Sequence, residues 1–365
     1  MHNAAYKALG LTNWQYSKEK VSEAELADFI SNLDDSWKGL SLTMPLKKTV
    51  MKLGTPCDYW SKVLNVANTA IFTSNPATAS PSQIELCNTD VSGIIMAFIQ
   101  ALHERITGVK KAVIIGSGNT ASSAMAALIE IAQASKLEQV KVVARTENDG
   151  SVKGVERFNN LLRAYCADSP NSRSIEPCLE SSENESSEKK SNETDANYES
   201  VIGIEFPKIS EEILKCDESL ILQSLSSLDA IRAIVEADIV ISTVPAHVAD
   251  GLAVALKAYC KNRRVKSLGT LLDVVYDPRP SMLLSAWRQY GLGIGGEEML
   301  LYQALEQVKL MTFEYRNSKE ETEVKSEVIA ENISNNDSDK TEDYDNSKDP
   351  KDLIDCMRKA LREAL

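Results

Sequence analysis

Residues 112–121 read AVIIGSGNTA, an apolar run that ends in a glycine turn and leads into a helix-like stretch. Gly116 would permit a tight bend, Gly118 would let the backbone approach a pyrophosphate, and Ala121 would let the helix pack closely on its strand. The N–H groups at the start of such a helix can bind phosphate. The pattern therefore predicts a dinucleotide-binding turn, although a tight turn without a ligand would have the same pattern. The predicted cofactor-binding residues of the turn are Gly116, Ser117, Gly118, Asn119, Thr120 and Ala121.

Strand-like and helix-like segments alternate on both sides of this turn. The strand-like segments are 39–43, 112–115, 140–144, 239–243 and 271–275, and the helix-like segments are 91–106, 120–134 and 248–260. Strands as apolar on both faces as residues 112–115 and 239–241 are typical of the middle of a parallel sheet covered by helices. The alternation predicts an α/β protein of two domains, an α/β substrate-binding domain and a Rossmann-like, doubly wound nucleotide domain.

Two acidic stretches contain all of the formal net charge of −13. Residues 168–200 hold nine acidic and three basic residues, and residues 317–350 hold eleven acidic and four basic residues. Both stretches are polar and lack apolar periodicity, so we expect disordered insertions. After the second stretch, apolar residues recur every fourth position from Leu353 to Leu365, which predicts a helix.

These features give expected domain boundaries. Residues 1–90 would form the substrate domain, and residues 91–295 would form the nucleotide domain, which contains the first acidic insertion. Residues 296–365 would return to the substrate domain and contain the second insertion. The substrate site is expected in the cleft between the two domains.

The composition also argues against several classes of partner. The rest of the chain is formally neutral and lacks the clustered Lys and Arg that nucleic acid or an anionic membrane would require. The sequence shows no export signal and no apolar stretch long enough to span a membrane, which predicts a cytoplasmic protein. The expected oligomeric state is a monomer or a homodimer. Seven singly scattered cysteines and three histidines predict reduced thiols and no metal site.

Two polar segments predict the chemistry. Asn88, Thr89 and Asp90 precede the glycine turn, and an acid close to a nucleotide site is typical of an oxidoreductase. The strand-like segment 140–144 ends in Arg145 and Thr146. An acid at this point commonly binds the ribose hydroxyls of NAD, whereas an arginine can hold the 2′-phosphate of NADP. Arg145 therefore favours NADP, although it could also be a solvated arginine, and nearby acids weaken the positive field.

Seven short motifs follow one another along the chain. They are MHNAAY at 1–6, SLTMPLK at 41–47, VANT at 66–69, NTD at 88–90, STVP at 242–245, DVVYDP at 273–278 and MLLYQA at 299–304. In this order and spacing they resemble the shikimate dehydrogenase family over nearly the whole chain outside the acidic stretches. The resemblance implies reversible, NADPH-dependent reduction of 3-dehydroshikimate to shikimate, in the biosynthesis of chorismate and aromatic amino acids.

The resemblance also implies roles for individual residues. Lys47 and Asp90 would form a catalytic pair around the hydroxyl that is oxidised, since a positioned lysine can relay its proton and a carboxylate can orient the lysine. The implied substrate-binding residues are Thr43, Asn68, Tyr276 and Gln303. The implied loop over the cofactor contains Thr243 and Val244.

Each candidate residue also has a purely structural interpretation. Lys47 could lie in a solvated loop, and Asp90 could cap the helix that follows it. Gln303 could face solvent, and Tyr276 could serve only the turn that follows it.

The chain departs from the family pattern mainly at its start. The family has a strand and a Ser-x-Ser motif before the segment that matches residues 2–6, so we expect a misplaced start. The competing interpretation is a shortened, catalytically weak nucleotide-binding paralogue. Leu46, Ala144 and Asp149 are smaller departures, which bear on the cofactor. An NAD-dependent quinate or shikimate dehydrogenase is the enzymatic alternative, and Arg145 argues against it.

Overall fold

The protein is described by a computed structural model that covers residues 1–74, 81–144, 154–168, 200–205, 227–331 and 350–364. The chain divides into two compact units, one of Met1–Met96 with Glu297–Leu365 and the other of Ala97–Gly296. The first boundary between the units follows Met96, six residues after the boundary expected at residue 90. A single helix, Thr89–Leu102, runs across both positions.

The described residues form twelve helices and ten strands. The helices are α1 (His2–Ala8), α2 (Leu26–Ser31), α3 (Leu46–Thr49), α4 (Tyr59–Leu64), α5 (Thr89–Leu102), α6 (Asn119–Ala134), α7 (Val155–Asp168), α8 (Ser227–Glu236), α9 (Asp250–Arg263), α10 (Met282–Trp287), α11 (Gly296–Glu331) and α12 (Pro350–Ala364). The strands are β1 (Gly39–Ser41), β2 (Thr55–Pro56), β3 (Thr69–Ser74), β4 (Pro81–Cys87), β5 (Lys111–Ile115), β6 (Gln139–Ala144), β7 (Ser200–Glu205), β8 (Ile239–Ser242), β9 (Thr270–Asp273) and β10 (Leu292–Gly295). Short 3-10 helices span Val50–Lys52 and His103–Gly108. None of the helices in the described ranges is both long enough and apolar enough to cross a membrane.

The first unit contains a four-stranded sheet with the order β1-β3-β4-β2. β3 pairs antiparallel with β1 and β4, and β2 runs parallel to β4. Within the described residues β1 pairs on one edge only, and a groove of about 610 Å³ borders residues 36–42 of this strand region. Apolar residues such as Leu42, Ala70 and Leu86 form the core of this sheet.

A second core in this unit joins α1, α11 and α12. Its buried residues include Tyr6, Leu301 and Met357. Met357 and Leu361 lie on the apolar face of α12, the helix that the four-residue repeat predicted.

The end of α11 corrects one expectation from the sequence. The helix continues to Glu331, whereas residues 317–350 were expected to be disordered throughout. Helix propagation needs no apolar face when a packed helix has already nucleated it. Residues 317–331 are rich in Glu and Lys, which favour helix. The other residues of the two predicted insertions, 169–199 and 332–349, lie outside the described residues.

The second unit contains a six-stranded sheet with the order β10-β9-β8-β5-β6-β7. Neighbouring strands are parallel except for β7, which is antiparallel to β6. The central strand β5 is buried from Ala112 to Ile115, as expected for a strand covered by helices on both faces. This topology confirms the predicted α/β fold with a Rossmann-like nucleotide domain.

Two cysteines correct the expectation of reduced thiols. Cys57 and Cys87 form a disulfide, with Cα atoms 5.7 Å apart. The parallel pairing of Pro56 with Leu86 places the next residue of each strand opposite the other. A separation of 30 residues along the chain gave no sign of this pairing. It was therefore tertiary structure, rather than local spacing, that determined the contact.

Candidate active site

Lys47 and Asp90 form an ion pair within the first unit. Lys47 lies in α3, shortly after β1, and Asp90 lies in the first turn of α5, directly after β4. Lys47 Nζ lies 2.6 Å from Asp90 Oδ2, and the side chains are 14% and 2% exposed, respectively. Lys47 is therefore not a freely solvated loop lysine. Asp90 lies inside the helix, which begins at Thr89, and its carboxylate binds side chains rather than capping the helix.

Asn68 extends this pair toward α11. Its Nδ2 donates to Asp90 Oδ1 at 2.8 Å and to Gln303 Oε1 at 3.3 Å. Its Oδ1 accepts from the backbone N–H of Thr89 at 2.8 Å and from Thr89 Oγ1 at 3.1 Å. The amide is thus held with its NH₂ group toward Asp90. Four of the predicted residues, Lys47, Asn68, Asp90 and Gln303, therefore form one hydrogen-bonded group.

Sequence reasoning missed Gln307, which continues the network behind Asn68. Gln307 Nε2 donates to Thr69 Oγ1 at 3.1 Å, and Ser41 Oγ donates to Gln307 Oε1 at 2.9 Å. Gln307 follows Gln303 by four residues, so both lie on the same face of α11. That spacing is the signal in the sequence that could have identified it.

His2 ends this network on the side away from Lys47. Its Nε2 lies 3.1 Å from Gln307 Oε1, and its ring stacks on Tyr16 with centroids 3.9 Å apart. Burial lowers the pKa of His2 to about 4. The imidazole is therefore neutral near neutral pH and can donate from Nε2 to the amide oxygen.

Two predicted substrate-binding residues are not joined to this group. Thr43 is exposed in the loop between β1 and α3, and within the described residues its hydroxyl makes no hydrogen bond to the group. Tyr276 belongs to the second unit and is 47% exposed.

A second arrangement supports the start of α5. The Asp58 carboxylate accepts from the backbone N–H groups of Ser61 and Asn88, each at 2.7 Å. Asp58 also lies within 4.8 Å of the sulfur atoms of Cys57 and Cys87, a grouping that could in principle hold a metal ion. Those sulfurs are joined to each other, and the carboxylate is engaged by backbone donors. The group thus fixes the backbone two residues before Asp90.

The glycine turn of the second unit requires a glycine at position 116. Gly116 has a φ of 113°, a conformation that L side chains rarely adopt. A Cβ atom there would lie 2.5 Å from Thr243 Oγ1 and 3.2 Å from Val244 Cγ1. Thr243 is fixed in turn, since its backbone N–H and its hydroxyl both donate to the carbonyl of Ile115. The predicted cofactor loop therefore packs directly on the glycine turn.

The start of α6 has the features of an anion site. Gly118 is the N-cap and provides no side-chain hydrogen bond, and a Cβ atom there would meet nothing within 4 Å. The first helical residues, Asn119, Thr120 and Ala121, follow this open position. Uncapped N–H groups and the helix dipole both favour a phosphate at this point.

Arg157 is a basic residue at this turn that sequence reasoning missed. Its Nη1 donates to the carbonyl of Ser117 at 3.0 Å, and burial lowers its pKa. The predicted residues Arg145 and Thr146 lie outside the described residues. Arg157 is thus a described guanidinium in contact with the predicted phosphate-binding turn.

The chain is similar to known proteins in sequence and in fold. The family model "Shikimate dehydrogenase substrate binding domain" matches residues 1–70. The shikimate dehydrogenase structure from Mycobacterium tuberculosis superimposes with a TM-score of 0.55 and 25% identity, over 85% of this chain and 86% of that chain. In sequence and in fold, the chain is similar to members of the shikimate dehydrogenase family. This similarity agrees with the resemblance that the motifs predicted.

Curated members of the shikimate dehydrogenase family match shorter regions. The shikimate dehydrogenase (NADP(+)) of Methanopyrus kandleri is 34% identical over 122 residues, which are 33% of this chain and 39% of that relative. Pentafunctional AROM polypeptide 1 of Lodderomyces elongisporus is 28% identical over 148 residues, 40% of this chain and 9% of the relative. The chain thus matches less than half the length of either relative. Lys47 and Asn68 lie within the residues that the family model matches, whereas Asp90 and Gln303 lie beyond them.

Proposed function

We propose that the protein is a shikimate dehydrogenase, which interconverts 3-dehydroshikimate and shikimate with NADP(H) in the biosynthesis of chorismate. The observation that carries this proposal is the Lys47–Asp90 pair, bound through Asn68 to Gln303. It combines a proton-transferring amine, a carboxylate and two amides in one place, which is the chemistry that oxidation of a polyol acid requires.

Lys47 is the proposed proton-transfer group. Bound NADP⁺ would supply the acceptor for the hydride that leaves the carbon bearing the hydroxyl. The hydroxyl proton must also leave, and Lys47 Nζ accepts or relays it. Asp90 Oδ2, 2.6 Å away, holds Lys47 Nζ in position and stabilises its ammonium form. In the reverse direction the ammonium stabilises negative charge that develops on the carbonyl oxygen.

The two amides are the proposed hydroxyl-binding groups. Within the described residues Gln303 Nε2 has no protein partner, while its Oε1 accepts from Asn68. A free amide donor at the edge of the site suits a ring hydroxyl of the substrate. Thr43 and Tyr276 are proposed to bind the substrate because of the family resemblance alone.

The proposed cofactor site is the glycine turn of residues 116–121 with Thr243 and Val244. The open position at Gly118 and the uncapped start of α6 fit a pyrophosphate. The Methanopyrus kandleri relative is a shikimate dehydrogenase (NADP(+)), which supports NADP rather than NAD. Arg145 supports the same preference from the sequence.

The test is the initial rate of shikimate-dependent reduction of NADP⁺, compared with NAD⁺ and with quinate in place of shikimate. We expect turnover with shikimate and NADP⁺ and much lower rates for the other combinations. Higher rates with NAD⁺ or quinate would favour the alternative of an NAD-dependent quinate or shikimate dehydrogenase. Binding of NADPH, followed by its fluorescence, without turnover of either acid would favour a nucleotide-binding paralogue.

A further inference from the structure

Gln307 is a buried amide whose four hydrogen-bond partners all come from other elements. Its exposed fraction is 4%. Its Oε1 accepts a hydrogen bond from Ser41 Oγ at 2.9 Å, and His2 Nε2 lies 3.1 Å from the same oxygen. Its Nε2 faces Thr69 Oγ1 at 3.1 Å and the carbonyl of Asn68 at 3.5 Å. The backbone carbonyl of Asn68 can only accept a hydrogen bond, so it favours the orientation of the amide in which Nε2 faces it.

The orientation of Gln307 determines the direction of the Thr69 hydroxyl. A hydroxyl has a single hydrogen, and Thr69 Oγ1 accepts from Gln307 Nε2. Its own hydrogen is therefore free for Asn68 Oδ1, which lies 3.0 Å away. Thr69 is fully buried, so no water competes for this hydroxyl from the surface.

The Thr69 hydroxyl in turn fixes the Asn68 side chain. Asn68 Oδ1 receives donors from Thr69 and Thr89, which leaves Nδ2 to face Asp90 at 2.8 Å. If the amide turned over, its oxygen would face the Asp90 carboxylate and two acceptors would be opposed. Because Asp90 holds Lys47, such a change would reach the amine of the proposed catalytic pair.

We propose that Gln307 is a positioning residue for the dehydrogenase reaction, which acts through Thr69 to hold Asn68 and Asp90 in their productive orientation. The inference rests on the proposed function of the same site. Gln307 does not touch the substrate in this account. Its effect is on the orientation of side chains that do.

The test compares Gln307→Met and Gln307→Glu with the unchanged protein. Methionine keeps the approximate volume and removes both hydrogen-bonding functions, while an ionised glutamate keeps the acceptor and removes the donor to Thr69. We expect kcat/KM for shikimate to fall about 10- to 100-fold in both, the size typical of residues that orient a ligand-binding side chain. NADPH affinity, measured by fluorescence, should change less than about twofold, since no step of the proposal involves the cofactor.

The matched control is Thr312→Val on the same helix. Thr312 is also fully buried, but its hydroxyl donates to Val308 within α11 and does not join the network. It should lose stability with little loss of kcat/KM. The positioning role would be wrong if Thr312→Val and Gln307→Met were equally stable and lost kcat/KM equally. It would also be wrong if both Gln307 variants kept kcat/KM within about twofold of the unchanged protein.

A measurement independent of turnover separates this inference from the proposed function. The side-chain amide protons of Asn68 should exchange slowly with solvent in the unchanged protein, as seen by ¹⁵N NMR, and faster in the Gln307 variants. Unaltered exchange in a folded variant would overturn the positioning role, even if shikimate turnover were confirmed. If the Gln307 variants did not fold, the unchanged protein alone would decide. Fast exchange of its Asn68 side-chain amide protons would then overturn the positioning role. Absence of shikimate turnover, with the predicted exchange pattern, would contradict the proposed function instead.

Discussion

Asp90 carries a carboxylate of which only 2% is exposed, and its partners decide what that burial costs. An exposed ion pair contributes about 0 to 1 kcal/mol to the free energy of unfolding, because water can solvate both charges almost as well. A buried carboxylate without its cation is destabilising, and two donors, Lys47 and Asn68, satisfy this one. The pair is thus a fixed feature of the fold rather than a chance surface contact.

At the same scale, His2 predicts a dependence of stability on pH. Its pKa is about 4 in the folded chain against 6.5 for the free group, because burial disfavours the charged form. Below the unfolded pKa the unfolded chain therefore binds more protons than the folded chain. The contribution of His2 is fully present above about pH 6.5 and is lost as the pH falls toward 4.

The measurement is urea unfolding of the unchanged protein and of His2→Gln. Between about pH 7.5 and about pH 5, the unchanged protein should lose about 2 kcal/mol more free energy of unfolding than the variant. Glutamine retains a donor toward Gln307 and does not titrate, so the difference isolates the imidazole. Equal losses in both proteins would show that His2 is not buried in its neutral form.

At the scale of elements, the close approach of α5 to α11 places Gln303 beside Asn68. Gly93 makes this approach possible, because a Cβ atom there would lie 2.8 Å from the carbonyl oxygen of Met299 and 3.1 Å from Gln303 Cβ. A backbone atom cannot move aside as a flexible side chain can. Position 93 therefore controls the spacing of the two helices that carry Asp90 and Gln303.

Gly93→Ala is predicted to destabilise the protein by about 1 to 3 kcal/mol, the usual cost of an overpacked core. It should also raise KM for shikimate, because Gln303 would be displaced. Gly251→Ala is the matched control, since Gly251 lies in α9 and a Cβ atom there would meet nothing within 4 Å. That change should be neutral or stabilising by up to about 1 kcal/mol in thermal unfolding. A Gly93→Ala protein as stable as the control would refute the close packing.

At the scale of the whole molecule, the sequence predicted the parts that depend on local pattern. The apolar run at 112–115, the glycine turn and the helix after it appear as β5 and α6 with bounds shifted by one residue. The family followed from seven motifs in order. Lys47, Asn68, Asp90 and Gln303 were proposed together from that resemblance, and the structure brings their side chains into contact.

The parts that sequence reasoning missed depend on contacts between distant residues. His2 and Gln307 are 305 residues apart, and no local period relates them. The disulfide of Cys57 and Cys87 follows from the register of β2 against β4, which spacing alone does not specify. The continuation of α11 past residue 317 was missed because a helix that extends a packed one needs no apolar face.

The most direct test of the central claim is the kcat of Lys47→Ala for shikimate oxidation, measured beside Lys48→Ala. Lys48 is the exposed neighbour and controls for charge and local sequence. Lys47→Ala should lower kcat by about 10²- to 10⁴-fold, the usual contribution of a general acid–base group, with NADPH affinity nearly unchanged. Circular dichroism at the assay temperature would establish that the variant is folded, since Asp90 loses its cation. Lys48→Ala should keep the rate of the unchanged protein. A folded Lys47→Ala protein with kcat close to that of Lys48→Ala would contradict the account.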